Sequence, residues 1–508
     1  MYIALKKDWK NLDIKIKKKN EAFLHITTEA SIEQELSEHF CFYVPGYKFM
    51  PAYKNRMWDG KIRLFDMRKK VLYTGLFEYL KEFAELRNYT ITVEEDAFYG
   101  RPDEDLNHDI DAFLSEIRLS VNKEGITPRD YQLTALSLLL NKSRSLLLSP
   151  TASGKSLIIY LALRYYLEFY DNDVLIVVPT TSLVEQMYSD FADYSEFDSW
   201  NAQTECHRIY AGKEKYNFRE RVTITTWQSI YKEKHEWFQR YGMVIGDEAH
   251  NFKAKSLTAI LEKCTEAKFR IGTTGTLDGT QTHQLVLEGL FGPVHKVTTT
   301  KELIDRSALA NLDIKVLLLK YKDDICKMVA KSKYQEEVDF IVKYEPRNNF
   351  IANLATDLKG NTLVLFQFVE KHGKPLHDIL KTKIEKGRKL FYVSGETDVD
   401  TRESIREITE TQENAIIVAS MGTFSTGINI RRLHNIIFAS PSKSQIRVLQ
   451  SIGRGLRKTK DGMDTKVFDI ADDLHWKSKK NYTLNHAAVR IKIYAKEKFN
   501  YEIHEVPL

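Results

Sequence analysis

The sequence predicts two α/β domains in tandem, each built on a parallel sheet, behind a small α+β N-terminal region. Three observations carry this. Short apolar runs at Ser145–Leu148, Val174–Val178, Val222–Thr226, Met243–Gly246 and Phe269–Gly272 alternate with helix-like stretches such as Ser156–Phe169. Strands alternating with helices imply a parallel sheet covered on both faces. The alternation fades near Leu290–Asp323 and restarts at Thr362–Phe368, Lys389–Gly395, Ala415–Ser420, Asn435–Ser440 and Lys466–Asp472, before a basic amphipathic tail. Finally, 508 residues are too many for one hydrophobic core and suggest about two to four domains.

The acidic segment Glu94–Asp111, which contains Pro and Gly and lacks apolar periodicity, separates a Lys-rich, aromatic start from the remainder of the chain. The expected organisation is an accessory domain over 1–98, a linker over 99–111, a first α/β domain over 112–295 and a second over 296–508 with a C-terminal helical tail. No repeat of twenty to fifty residues is visible.

Lys+Arg number 75 against 70 Asp+Glu, so the net charge of +5 demands no polyanion, and any basic surface must be local. Cys41, Cys206, Cys264 and Cys326 lie far apart with no C-x-x-C spacing, which argues against a zinc site and a disulfide framework. The N-terminus lacks an apolar core before a small-residue cleavage site, and no run approaches ~18 uninterrupted apolar residues. A soluble cytoplasmic protein without a membrane partner is expected.

In the first α/β unit, Leu148-Ser-Pro-Thr-Ala-Ser-Gly-Lys-Ser156 sits where a strand turns into a helix. Backbone N–H groups of Thr151, Ala152, Ser153 and Gly154 at a helix N-terminus can surround phosphate oxygens. Lys155 can neutralise β/γ charge, and Ser156 can ligate Mg²⁺. Ser149 stands where such a loop usually begins with Gly, which matters little if it has ordinary strand geometry. Downstream, Asp247-Glu248-Ala249-His250 ends an apolar run, where a strand's carboxyl end presents acids toward phosphate. Asp247 suits Mg²⁺, and Glu248 suits the orientation and deprotonation of an attacking water.

A phosphate loop followed by Asp-Glu-Ala-His resembles a superfamily 2 helicase or translocase, which implies ATP and Mg²⁺ as cofactors and RecA-like domains. Further motifs follow in the family's order. Arg129–Gln132 resembles the adenine-reading element, with Gln132 on the base edge. Val178–Gln186, containing Thr180, and Thr225–Ser229, containing Thr226, resemble strand-contacting motifs. Thr274-Gly-Thr276 resembles the element that, with His250, couples hydrolysis to movement, although Ser-Ala-Thr is more usual there. In the second unit, Val393–Gly395 and Ala419–Asn429, with Thr423 and Gly427, resemble motifs that hold the tracking strand and couple it to ATP. Gln450–Arg457 resembles the arginine-finger motif Q-x-x-G-R-x-x-R, implying catalytic roles for Gln450, Arg454 and Arg457. The two arginines would stabilise the phosphoryl-transfer transition state only when the second domain closes on the first.

In Cys41–Asp66, Lys48, Lys54, Arg56, Lys61 and Arg63 interleave with Tyr43, Tyr47, Tyr53 and Trp58. That combination suits phosphates and unstacked bases, and Asp59-Gly60 signals a hairpin. Ahead of the motor motifs, the element Y-x-F-x-P-x-Y-x-N-x-x-W-D-G-x-I-R-L (47–64) resembles the UvsW-type branched-DNA helicases of tailed phages. That resemblance runs through the ending Tyr494–Leu508. It implies an ATP-dependent helicase acting on Holliday junctions, stalled forks, D-loops and R-loops, located in the host-cell cytoplasm. Its partners would be branched, single- or double-stranded DNA or RNA–DNA hybrid. The motor motifs by themselves leave open an RNA helicase of similar architecture and, less readily, a non-hydrolysing nucleic-acid-binding protein.

Overall fold

The computed structural model describes residues 13–93, 110–150, 152–211, 213–216, 219–277, 281–307, 309–427, 432–441 and 464–508. The chain divides into two compact units, one running to Val297 and one from Thr298, with Pro150–Ser153 grouped with the second.

The first unit holds a seven-stranded sheet in the order Cys206–Ile209, Val222–Thr226, Asp173–Val178, Tyr241–Asp247, Phe269–Thr274, Arg144–Leu148, Val294–Lys296. Every pair is parallel. The five central strands are the five apolar runs of the sequence. Helices cover both faces, so these strands contain hardly an exposed residue and read as continuous Val/Ile/Leu stretches. Cys206–Ile209 and Val294–Lys296 lie at the two edges and carry His207, Arg208, His295 and Lys296, which hides them from an apolar reading.

The second unit repeats the plan, in the order Leu390–Val393, Ile416–Ser420, Thr362–Phe366, Asn435–Phe438, Thr465–Asp473, Leu312–Lys320, Tyr501–Pro507, again parallel throughout. Two features depart from the sequence reading. Where the apolar pattern fades, Leu312–Lys320 forms a nine-residue strand; Asp313 and Lys315 interrupt its apolar side chains. The tail is helical only over Tyr482–Lys496, and its last residues add an exposed edge strand.

The N-terminal region forms a mixed sheet ordered Val71–Tyr73, Phe23–Thr28, Ile14–Lys18, Ile91–Val93. Alternation in Ile14–Lys18 and Phe23–Thr28 turns Ile14, Ile16, Leu24 and Ile26 inward, where they are fully buried with Leu36, Leu80 and Phe83. This core is continuous with that of the first motor sheet. Glu21 N–H donates to Thr265 O at 3.0 Å, and the Tyr73 and Tyr79 hydroxyls donate to Glu262 and Glu288, both at 2.6 Å. Gly75 allows the closest approach, because a Cβ there would stand 2.0 Å from Glu288 O. Residues 94–98 at the end of the expected accessory domain and 99–109 of the expected linker lie outside the described residues, and a helix begins at Ile110, inside the expected linker.

Asp59-Gly60 is not the turn of a tight hairpin. Lys61–Arg63 pairs antiparallel with Cys41–Tyr43, and the connection between them contains the helical turns Tyr47–Phe49 and Pro51–Lys54. The residues before Asp59 form a helical turn and not a strand that Lys61–Arg63 could pair with, and the Asp59 carboxylate accepts from Lys61 N–H at 3.1 Å and pairs with Arg63 Nη2 at 2.5 Å. It starts a strand instead of reversing one.

Candidate functional site

Three neighbouring strands of the first sheet end in Leu148, Asp247 and Thr274, so their carboxyl ends bring separate sequence motifs to one edge. Ser149 N–H donates to Thr274 O at 2.9 Å, continuing the ladder, so the residue standing in for Gly is strand-like and buried. The chain then turns: Ala152 has φ +65° and Gly154 φ +81°. Gly154 is required twice over, by this left-handed backbone and by Gln132, whose Nε2 would lie 2.3 Å from an added Cβ. Gln132 itself is oriented by Arg129, whose backbone N–H donates to its Oε1 at 2.8 Å. Lys155 opens the helix Lys155–Phe169, and its Nζ reaches Ser149 O at 3.4 Å. Ser156 Oγ lies 2.9 Å from Tyr194 OH.

Asp247 and Thr273 are cross-strand partners, and Thr273 Oγ1 donates to Asp247 Oδ1 at 2.7 Å. Burial pushes the Asp247 carboxyl above the usual carboxylate range, with the Glu248 charge adding to the rise, while Lys155 and the Thr273 hydrogen bond oppose it. Glu248 adopts φ +50°, ψ +49°, an uncommon left-handed conformation for a non-Gly residue that turns the chain out of the strand. His250 Nδ1 lies 3.0 Å from Thr274 Oγ1 and 3.3 Å from Glu248 Oε2. Thr274 Oγ1 in turn donates to Thr276 O at 3.0 Å. Ser149, Thr274, His250 and Glu248 are therefore joined by direct contacts.

A cleft of about 600 Å³ lies at the ends of neighbouring strands, lined by Thr180, Tyr210, Lys213, Lys215, Thr226 and Ser229, among others. Thr180 caps its helix by accepting from Leu183 N–H, and Thr226 Oγ1 lies 2.9 Å from Ser229 Oγ. The sequence reading missed Tyr210, Lys213 and Lys215. Their signal is a Tyr-Ala-Gly-Lys-x-Lys run directly after a strand, legible only once Cys206–Ile209 is recognised as one.

In the second unit, Thr423 is buried at the start of Met421–Gly427 and its Oγ1 accepts from Ser420 Oγ at 2.7 Å. Gly427 ends that helix. Thr151, Gln450, Arg454 and Arg457 lie outside the described residues.

In the N-terminal element, Lys54 and Arg56 are exposed and line a second cleft of about 600 Å³ with Lys48, Tyr53, Met57, Trp58 and Asp59. The Trp58 indole N–H donates to Lys61 O at 2.8 Å, which fixes the ring. Lys61 Nζ stands 5.1 Å from the centre of the Tyr43 ring, and Arg63 is held by Asp59. Trp58, Lys61 and Arg63, three of the five expected contacts, are thus already engaged within the element. No helix among the described residues is long and apolar enough to cross a membrane.

Residues 13–94 match the family described as DNA helicase UvsW, N-terminal, residues 125–279 the type III restriction enzyme res subunit, and 346–459 the helicase conserved C-terminal domain. The sequence is 36% identical to the ATP-dependent DNA helicase uvsW of Enterobacteria phage T4, over 98% of this chain and 100% of that protein. It is 24% identical to the DNA 3'-5' translocase XPB2 of Sulfurisphaera tokodaii, over 66% of this chain and 80% of that protein. The crystal structure of T4 UvsW superimposes with a TM-score of 0.51 at 34% identity, covering 97% of this chain and 99% of that one.

Proposed function

Because the chain belongs to the family of the DNA helicase UvsW, we propose that it is an ATP-dependent DNA helicase or translocase that unwinds or branch-migrates branched DNA in recombination, replication and repair. The observation that carries the ATPase reading is the joined set Ser149–Thr274–His250–Glu248, which ties the phosphate loop, the acidic motif and the Thr-Gly-Thr element into one network. A change at the γ-phosphate felt by Glu248 is passed through His250 to Thr274 and Thr276. In this reading Lys155 neutralises phosphate charge, Glu248 orients and deprotonates the attacking water, and Gln132 reads the adenine edge. Arg454 and Arg457, with Gln450, complete the site when the second domain closes, and loss of the γ-phosphate reopens it.

Magnesium fits the residues present. Among the described residues no group of three or more His, Cys, Asp or Glu side chains could hold a metal. Ser156 and Asp247 offer two hard oxygen donors, which suits an ion that keeps waters and takes phosphate oxygens for its other positions. Bound there, it would neutralise charge between the β- and γ-phosphates. The buried Asp247 would hold it, and the Thr273 hydroxyl would fix that carboxylate.

Thr180 and Thr226, with Tyr210, Lys213 and Lys215, would grip one strand from the first unit, and Thr423 would contact it from the second. Lys54, Arg56, Trp58, Lys61 and Arg63 would supply the preference for a junction, since a motor that only tracks a strand has no reason to prefer one. Unwinding of a four-way DNA junction, a tailed RNA duplex and an RNA–DNA hybrid, side by side, tests the substrate. Faster unwinding of the RNA duplex would overturn the DNA reading. For the N-terminal element, Lys61→Ala with Arg63→Ala should weaken junction binding and flatten its salt dependence, by nearly one unit of log–log slope for each phosphate no longer neutralised. ATPase activity at saturating single-stranded DNA should change little. Truncation near residue 112 is no substitute, because it would uncover the core shared with the first motor sheet.

A further inference from the structure

The Ser156 hydroxyl has a neighbour that no sequence motif contains. Tyr194, the last residue of the helix Thr181–Tyr194, places its OH 2.9 Å from Ser156 Oγ. Its ring is fixed by packing. Tyr160, one turn beyond Ser156, lies against it with ring centroids 5.4 Å apart, and Tyr160 itself meets Phe191 and Trp200. The end of the helix is tied down as well: Asp193 O accepts from Ser120 Oγ at 2.6 Å, and Asp193 Oδ1 from Asn122 N–H at 2.8 Å. With the backbone held and the ring buried, the phenol oxygen has little freedom.

We propose that Tyr194 is a positioning residue for the magnesium ion of the nucleotide, acting through Ser156. This rests on the reading of Ser156 as the metal-ligating hydroxyl. A serine hydroxyl has one hydrogen and two lone pairs. When a divalent cation takes a lone pair, the O–H bond is polarised and its hydrogen needs an acceptor on the side away from the metal. A serine inside a helix usually finds that acceptor in the carbonyl four residues back. Ser156 is the second residue of its helix, so no helical carbonyl stands there. The Tyr194 oxygen takes that place: accepting the Ser156 hydrogen turns a lone pair of Oγ outward and holds it there before the ion arrives. The ligand is then pre-oriented, and binding the ion does not have to include ordering its hydroxyl.

Tyr194→Phe keeps the ring and removes only the oxygen. The measurement is equilibrium binding of a fluorescent ADP analogue to the full-length protein across a range of free Mg²⁺, read as the Mg²⁺ concentration at which nucleotide affinity has risen half-way. That midpoint should move up about three- to tenfold, the effect of one hydrogen bond. Affinity measured in EDTA and the melting temperature without nucleotide should stay near wild type. Ser156→Ala should shift the midpoint further, and adding Tyr194→Phe to it should change nothing more. An unchanged midpoint in Tyr194→Phe, an equal fall of affinity with and without Mg²⁺, or an additive loss in the Ser156→Ala background would each overturn the proposal. If Ser156→Ala itself left the midpoint unmoved, the reading of Ser156 as the metal ligand would fall with it. A shift in Ser156→Ala alone would overturn only the role of Tyr194.

Discussion

Glu21 and Arg144 meet at 2.6 Å although 123 positions separate them in the chain. Arg144 begins the strand that leads into the phosphate loop, and its guanidinium is buried, with Nε and Nη1 finding no hydrogen-bond partner among the described residues, so Glu21 is its counter-charge. Burial works to raise the Glu21 carboxyl, but Arg144 and Lys18 outweigh it and hold it below the usual range. Glu21→Ala would leave a buried cation uncompensated, at a cost of about 3–5 kcal/mol in unfolding free energy. Urea unfolding measures this. The double change Glu21→Leu with Arg144→Met should cost less, because the buried guanidinium is then no longer stranded and only Lys18, which also pairs with Glu21 at 2.6 Å, loses its partner.

Lys155→Ala is expected to abolish ATP hydrolysis while leaving folding and DNA binding intact, since the hydrogen bond from its Nζ to Ser149 O is long, at 3.4 Å, and the change removes a charge that acts on Asp247. Glu248→Gln should retain nucleotide and stall. Steady-state turnover and nucleotide retention after rapid filtration separate the two. Wild-type turnover in Lys155→Ala would remove the site assignment, and normal hydrolysis in Glu248→Gln would place water activation elsewhere.

Arg457→Ala should bind ATP nearly as well as wild type and hydrolyse it on the order of a thousandfold more slowly, as expected for a finger that acts only in the transition state. Binding and single-turnover rates, measured on the same protein, check this. A matching loss of nucleotide affinity would contradict the role.

His372 gives a pH dependence of known sign. Burial, and secondarily the Arg347 charge, hold its imidazole down to about 3, and Nδ1 lies 2.9 Å from Ser440 Oγ. The unfolded chain takes up the proton near pH ~6.5 and the folded chain does not, so this contribution to stability is complete above that pH and is lost as pH falls toward 3. By pH 5 the loss amounts to about 2 kcal/mol. His372→Asn, which can still meet Ser440, should flatten the change in urea midpoint between pH 7.5 and pH 5. An equal slope in both proteins would remove His372 as the source.

The central strands of both sheets were legible because burial on two faces forces long apolar runs. Leu312–Lys320 was not, because Asp313 and Lys315 break up the apolar run. Asp59-Gly60 misled for a similar local reason: the dipeptide matches a turn, but its carboxylate is used by Lys61 and Arg63. The acidic motif and phosphate loop could be recognised because their residues are neighbours in the chain. The contact of Tyr194 with Ser156 had no such signature, since packing of two helices creates it between residues 38 positions apart.

The shared core of the N-terminal sheet and the first motor sheet also sets an order of events during synthesis. The sheet's own strands are complete once Val93 has been made, yet the helix Gln281–Phe291 that receives Tyr79 and closes on Gly75 is still unmade. At about 5–20 residues per second, the stretch from residue 93 to residue 291 takes the ribosome roughly 10–40 s. For that interval the nascent accessory region has an uncovered apolar face, so a chaperone on the ribosome has a defined window in which to hold it.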